Sequence, residues 1–527
     1  MKHVGLVILT VLIFTLICIP HSILPSFASA STNPALTRLL LATRQVSHDI
    51  PLDKDAVLIN RKQFACLSRL IPPRCYTPRQ ILQAYQIRPL FEAGITGKGQ
   101  TIAIIGFFQS PHLFTDVHIF DQLFGLPDPH LTIFAPLGLM PLDRSNRSQL
   151  LAAQEINLDV EWAHAIAPDA KINLVLSKSA GIEDLYATTR FAIQHNLGDV
   201  LTQSFGFPET AIAVKMLRKE HALFEEARAR GISVFASSGD RGTLEPVYNN
   251  VLKLISLGPG VEYPASDPLV TSVGGTHLSL SPSGIYQQEE AWSNRLGATG
   301  GGFSRRFLRP SYQDGFVGAS RTRGVPDVAY VGDPRTGVPI IFSLKQGPAF
   351  IPIGGTSAGA PQWAALAVLG NQLAGRRLGF LNPSLYALSK NPFYPHVFHD
   401  VLSGSNTLAV HVLRSTVSFP GYNARQGWDP ATGLGSPVAN RLLIALAQNK
   451  LFNPITLHYT KKTTSARMYI PLRRHWHLAF YGFTRHRHYR RIYRRALILH
   501  SDYLHCPLYG YVFFHFYHTY TPRRLIC

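Results

Sequence analysis

The chain has 527 residues, 46% of them hydrophobic and 16% charged, enough for one large catalytic domain or two ordinary ones around a real core. The formal charge of +20 is concentrated at one end: residues 453–527 hold thirteen Lys and Arg against the single acid Asp502. The body of the chain is therefore not marked by its charge as a binder of nucleic acid, and the absence of any CxxC leaves a structural zinc site without support.

Residues 1–30 read as a secretory signal. Lys2 supplies the positive start, residues 4–19 are apolar, and Ala28-Ser29-Ala30 is a cleavage signal of the A-x-A kind. The apolar run is short for a membrane span. A secreted, extracellular protein is expected, with no stable membrane association once the signal is removed. A short segment, 31–74, follows. Removal of the signal leaves Cys66, Cys75, Cys506 and Cys527; Cys66 and Cys75 bracket a Pro-Pro turn and are the expected disulfide.

Residues 98–106 read as a glycine turn entering a buried strand. Residues 150–167 suit a helix ending at Pro168. Glu155 and Asp159, four residues apart, share one face of it. On an exposed helix such a pair is a solvated acidic face. In a partly buried site the two share a proton, and one of them can act as a base. Further strands are expected at 169–176 and 199–205, a helix at 209–230 closed by Gly231, and a strand at 232–236. The last is followed by Ser237-Ser238-Gly239-Asp240. Strand, helix, strand is a βαβ unit, and the strand at 269–273 before Gly274-Gly275 continues the sheet. The fold class is α/β, a mostly parallel central sheet with flanking helices, whose sites belong at the C-terminal ends of strands. Asp240 lies at such an end. It reads either as a turn cap or as a neutral acid able to donate to an oxyanion.

Residues 354–363, GGTSAGAPQW, place Ser357 between a flexible glycine pair and a helix over 360–373, with Pro361 in its first turn. The hydroxyl is set near the positive end of that helix. A helix over 440–449 then closes the body. The tail, 451–527, carries nine of the 22 histidines and many aromatics without amphipathic period. It is not expected to belong to the domain.

The residues resemble the sedolisins, or serine-carboxyl peptidases, in colinear blocks. These are CYTPRQILQAYQI (75–87), GKGQTIAII (98–106), EINLD (155–159), SSGD (237–240), YPASDPLVTSVGGT (263–276), GGGFS (300–304), RGVPDVA (323–329), GGTSAGAP (354–361) and GWDPATGLGSP (427–437). The resemblance implies a subtilisin-like α/β domain over residues 75–450. It implies Ser357 as nucleophile, Glu155 as general base, Asp159 as its partner and Asp240 in the oxyanion hole. It also implies one Ca2+ ion held by Asp400 and Asp429 and by the carbonyls of Val401, Arg425 and Gly427. Arg425 stands where the family has glycine, which matters if that residue needs a positive φ. Two outer partners of the acid pair, a Glu and a Trp in the family, are Gly106 and Phe205 here. The family's large propeptide does not fit within residues 31–74.

The reading that follows is a secreted, monomeric endopeptidase active in acid on protein or peptide substrates. A true subtilisin lacks support, because the first strand does not end in Asp and no His-Gly-Thr occurs. The alternatives are a non-catalytic peptide-binding relative and a protein whose basic tail binds nucleic acid or anionic surfaces. A shifted reading frame accounts for the tail better than such binding does, because the helix over 440–449 already closes the domain.

Overall fold

The structure is a computed structural model. It describes residues 65–68, 74–249, 254–390, 392, 394–412 and 415–448, and four two-residue strands, Ile455–Thr456, Phe480–Tyr481, Ala496–Leu497 and Arg524–Leu525. The expected signal lies outside the described residues, as does the basic tail apart from those strands.

Alternation along one strand divides the interior into two layers. In β1 (Thr101–Phe107), Ile102 and Ile104 face one hydrophobic cluster while Ala103 and Ile105 face another, as successive side chains of a strand must. The other strands are β2 (His130–Phe134), β3 (Lys171–Ser177), β4 (Val200–Gln203), β5 (Ser233–Ser237), β6 (Thr271–Leu280), β7 (Tyr286–Ala291) and β8 (Val328–Val331). They are ordered β7-β6-β5-β4-β1-β3-β2, with β8 also paired to β6. Every pairing is parallel except that of β7 with β6. A parallel sheet needs cover on both faces. Helices α3 (Ile182–Gln194) and α4 (Val214–Ala229) cover one face through Leu185, Ile193, Leu223 and Phe224.

The other face is covered by α1 (Leu113–Phe124), α2 (Arg147–Ile166), α5 (Gly359–Ala374) and α6 (Ala439–Gln448). Asn146 starts α2: its side chain accepts the N–H groups of Ser148 and Gln149 at 3.0 and 3.3 Å, a cap of about 1 kcal/mol. α5 is nearly all apolar and buried, which suits a central helix packed against both the sheet and α2.

The expected disulfide is present. Cys66 and Cys75 are joined, their Cα atoms 5.2 Å apart, and closing so short a loop contributes about 2–3 kcal/mol. Arg74–Cys75 adds a parallel strand beside Thr336–Gly337. That strand is the first arm of an antiparallel hairpin, Thr336–Leu344 with Gly347–Ile353, which runs directly into Gly354 and Ser357.

Two boundaries differ from the sequence reading. The helix expected over 209–230 begins only at Val214, because Phe207–Pro208 pairs with Glu262–Tyr263 and Glu209–Ala211 forms a 3₁₀ turn. Glu209 is buried there, accepting the Ser304 hydroxyl at 2.8 Å and the Arg305 N–H. The strand expected to stop at Gly274-Gly275 continues to Leu280. Those glycines serve close approach rather than termination: a Cβ on Gly274 would lie 2.8 Å from Pro326, and one on Gly275 3.0 Å from Trp292.

Candidate active site

Three elements converge at the C-terminal edge of the parallel sheet. The turn Gly354–Ser357 enters α5, the segment after β5 ends in Asp240, and α2 lies across both with Glu155 and Asp159 on one face. A 3₁₀ turn, Thr356–Ala358, runs straight into α5, so Ser357 stands at the helix entry as its surroundings in the sequence suggest.

The turn is tied to Asp240. Thr356 donates both its N–H (2.8 Å) and its hydroxyl (2.9 Å) to Oδ1 of Asp240, and that hydroxyl accepts the Gly239 N–H at 3.0 Å. Gly355 has φ 107° and ψ 162°, a conformation open essentially to glycine alone. A Cβ there would also lie 2.7 Å from Oδ2 of Asp240. The glycine pair is thus required by approach as well as by torsion. Burial raises the Asp240 carboxyl above its ordinary range, and the two Thr356 bonds offset part of the rise. Since Oδ1 takes both donors, a proton on this acid belongs on Oδ2.

Asp159 is 2% exposed and accepts the Ser204 hydroxyl at 2.6 Å. Burial pushes its carboxyl up to about 8, with the Ser204 bond opposing. Burial likewise raises Glu155 well above the usual carboxylic range; the charge of Asp159 adds to this, the nearby Ser357 hydroxyl opposes it, and Asp240 adds a little. Ser357, Asp159 and Asp240 therefore all act on Glu155. In this resting arrangement the shortest bond from the Ser357 hydroxyl goes to the Ser204 carbonyl at 3.4 Å, while Oε1 of Glu155 is buried without a partner. Loose geometry of this kind is usual before substrate arrives.

Ser204 and Thr356 were not singled out by the sequence. Ser204 fixes Asp159 and borders Ser357 from the end of β4, and the only signal for it was its place in the Ser-Phe-Gly at a strand end. The two departures sit close by. A Cβ on Gly106 would lie 3.2 Å from both Ile156 and Leu176, so a longer side chain there would press on those two residues. Phe205 packs edge-on to Phe107 with centroids 5.8 Å apart.

The residues expected to hold calcium also meet. Asp400 accepts the Gly427 N–H at 2.9 Å and the Tyr394 hydroxyl at 3.0 Å. Asp429 is fully buried and accepts the N–H groups of Ala431, Thr432 and Arg425. Burial raises both carboxyls, Asp429 to about 6. Val401 is 1% exposed, yet its carbonyl receives no hydrogen bond from the described residues. A buried carbonyl without a donor, next in the chain to the half-buried Asp400 and grouped with the buried Asp429, fits a hard cation with oxygen ligands. Gly427 has φ 75°, while Arg425 is not among the positive-φ residues, so the lost glycine carries no backbone penalty. No cluster of three or more His, Cys, Asp or Glu suited to a metal occurs among the described residues.

No family model matches the chain. It is 35% identical over 399 residues to kumamolisin of Bacillus sp. strain MN-32, covering 73% of this chain and 66% of that protein. It is 34% identical over 252 residues to sedolisin of Pseudomonas sp. strain 101, covering 46% of this chain and 40% of that one. The chain thus spans less than the full length of these curated relatives. The solved structure of Pseudomonas sedolisin complexed with two molecules of pseudo-iodotyrostatin, titled a serine-carboxyl proteinase, superposes with TM-score 0.59 at 28% identity. That match covers 71% of this chain and 98% of that one.

Proposed function

The chain belongs to the sedolisin family of serine-carboxyl peptidases, and from that premise we propose that it is a secreted endopeptidase that cleaves proteins or peptides in acid through an acyl-enzyme on Ser357. Glu155 takes the Ser357 proton as the hydroxyl attacks the scissile carbonyl, then returns it to the leaving amine. Asp159, which accepts the Ser204 hydroxyl, shares one proton with Glu155, so that the pair keeps a carboxylate able to accept. Asp240 donates from Oδ2 to the oxyanion. The observation that carries this reading is the convergence of Ser357, Asp159 and Asp240 on Glu155 from three separate elements.

The test is to incubate the purified chain with a denatured protein between pH 2 and pH 8 and to sequence the fragments. Internal cleavage with an acidic maximum is expected, because Asp240 must keep its proton to donate to the oxyanion and loses it as pH rises. Ser357→Ala should lower turnover on the order of 10⁴-fold or more. Near-wild-type turnover by that variant would remove the assignment.

For the second site we propose one Ca2+ ion on Asp400, Asp429 and the carbonyls of Val401, Arg425 and Gly427. The unpartnered Val401 carbonyl supports it. The ion would neutralise buried charge and pin the segments 400–401 and 425–429 together, with no part in the chemistry.

A further inference from the structure

The helix that carries Glu155 and Asp159 has a second buried polar face, which the proposed chemistry does not use. Asn157, Glu161 and His164 recur along one side of α2, and all three are 0% exposed. They meet two elements. Helix α1 brings the buried acids Asp116 and Asp121, and the strand Thr336–Leu344 is the arm of the hairpin that leads to Ser357.

The bonds across this face join α2 to that strand. Oε2 of Glu161 accepts the Ile341 N–H at 3.0 Å, and Nδ2 of Asn157 donates to the Ile341 carbonyl at 2.8 Å. The helix therefore grips both polar groups of one residue in the strand. Trp162 adds a bond to the Pro339 carbonyl at 2.8 Å. Asp116 completes the contact by accepting Asn157 at 3.0 Å and the N–H and hydroxyl of Ser343 at 3.0 and 2.6 Å.

The charges at this face are unbalanced. Glu161 faces Asp116 and Asp121 on α1 and His164 on its own helix; Asp128 acts on Asp121, and Asp128, Asp169 and His130 act on His164. The strand Thr336–Leu344 and α5 bring no ionisable side chain. His164 does not supply the missing cation: burial lowers its pKa to about 4, and Nε2 lies 2.6 Å from the Pro127 carbonyl, so the neutral ring carries its proton there. Oε1 of Glu161, both carboxyl oxygens of Asp121 and Nδ1 of His164 are buried without hydrogen-bond partners, although Nε2 of His164 lies 3.4 Å from Oδ1 of Asp121. Burial raises Glu161 well above the carboxylic range, with Asp116 and Asp121 adding to it; Asp121 itself is pushed up to about 8 by burial and then Asp128. An ionised Glu161 would leave a bare charge in this interior, a state that buried carboxyls avoid.

We propose that Glu161 is a positioning residue: as a neutral acid it locks α2 to the hairpin that delivers Ser357, and its ionisation releases the lock and sets an upper pH limit distinct from the active-site carboxyls. A carboxyl raised in the folded state contributes stability that is fully present below its unfolded value and is lost as pH rises through its folded value. The inference rests on the peptidase reading for activity, and on the fold alone for stability.

The experiment compares the full chain with Glu161→Gln, which keeps an acceptor for Ile341 and cannot ionise. Melting temperature and kcat/KM are both followed from pH 3 to pH 9. The variant should keep acid activity within about threefold and move the upper limits of both profiles upward by about one pH unit. The wild-type loss at high pH should appear in kcat rather than KM. Unmoved limits overturn the proposal. A melting profile that moves while the kinetic limb does not also overturns it, since Glu161 would then be structural only. If the Gln variant fails to fold, Asp121→Asn, which removes a charge that raises the Glu161 carboxyl, should shift both limits downward, and no shift there overturns the idea. A wild-type chain without peptidase activity but with the shift in melting leaves the lock standing and removes the peptidase reading instead.

Discussion

Asp240 and Glu155 are both half-buried acids, and what separates their proposed roles is where their hydrogen bonds go. Oδ1 of Asp240 is committed to Thr356 twice, which leaves Oδ2 as the oxygen able to carry a proton toward the substrate. Oε1 of Glu155 has no partner and is open to accept. A prediction follows from this asymmetry. Asp240→Ala should lower kcat by about 10²–10³-fold, the usual loss for one oxyanion donor. Asp240→Asn should keep the Thr356 bonds on its carbonyl oxygen and present an amide N–H in place of the Oδ2 proton. The sign is fixed by the carboxyl: raised by burial, it stays protonated into weaker acid than usual and then ceases to donate as pH rises through its folded value. The Asn donor does not titrate. The falling limb of Asp240→Asn should therefore lose the step near the Asp240 value and keep only the higher step assigned to Glu161, and a limb that keeps both steps would show that Asp240 sets neither.

At the scale of elements, the site depends on the turn before α5 as much as on the residues it displays. Gly355→Ala should cost about 1–3 kcal/mol for its backbone conformation alone. Its Cβ would also press on Oδ2 of Asp240, so kcat should fall further than the loss of melting temperature accounts for. Calorimetry beside steady-state kinetics separates the two, and a variant that melts early yet turns over normally would mean that Asp240 can move aside at no cost to the reaction. The turn, the acid pair on α2 and the strand end at Asp240 were legible in the sequence because each is local. A glycine pair, a four-residue spacing and a strand followed by Ser-Ser-Gly-Asp carry their meaning within a few residues. What was not legible depends on distant partners. Glu209 leaves the helix expected of it because Ser304 and Arg305 bind it, and Ser204 matters because Asp159 lies opposite. The polar face of α2 at Asn157, Glu161 and His164 was hidden for the same reason: its partners are in α1 and in the hairpin.

For the whole molecule, three of the carboxyl groupings among the described residues set different demands on pH. The acid pair and Asp240 sit at the sheet edge, Glu161 with its neighbours lies behind α2, and Asp400 with Asp429 lies where the segments 400–401 and 425–429 meet. The first two favour the protonated form. The third, if it holds an ion, favours the charged form, because calcium binds the carboxylate and not the acid. An ion bound only to the folded chain stabilises it by mass action, about 2.7 kcal/mol at a hundredfold excess over Kd. With metal bound, the folded pKa of both aspartates falls below the unfolded value, so that stabilisation is present above the unfolded value and is lost as pH falls through the folded one. Chelation near pH 6–7 should then lower the melting temperature by several degrees, and the effect should shrink toward pH 3. Asp429→Ala should melt lower from the start and respond to chelator at neither pH. Differential scanning calorimetry of both chains, with and without chelator and then with calcium restored, checks this. A wild-type melting curve that chelator leaves unmoved at pH 7 would mean that Asp400 and Asp429 are held by their N–H and hydroxyl donors alone, and that the Val401 carbonyl is satisfied by something other than a metal ion.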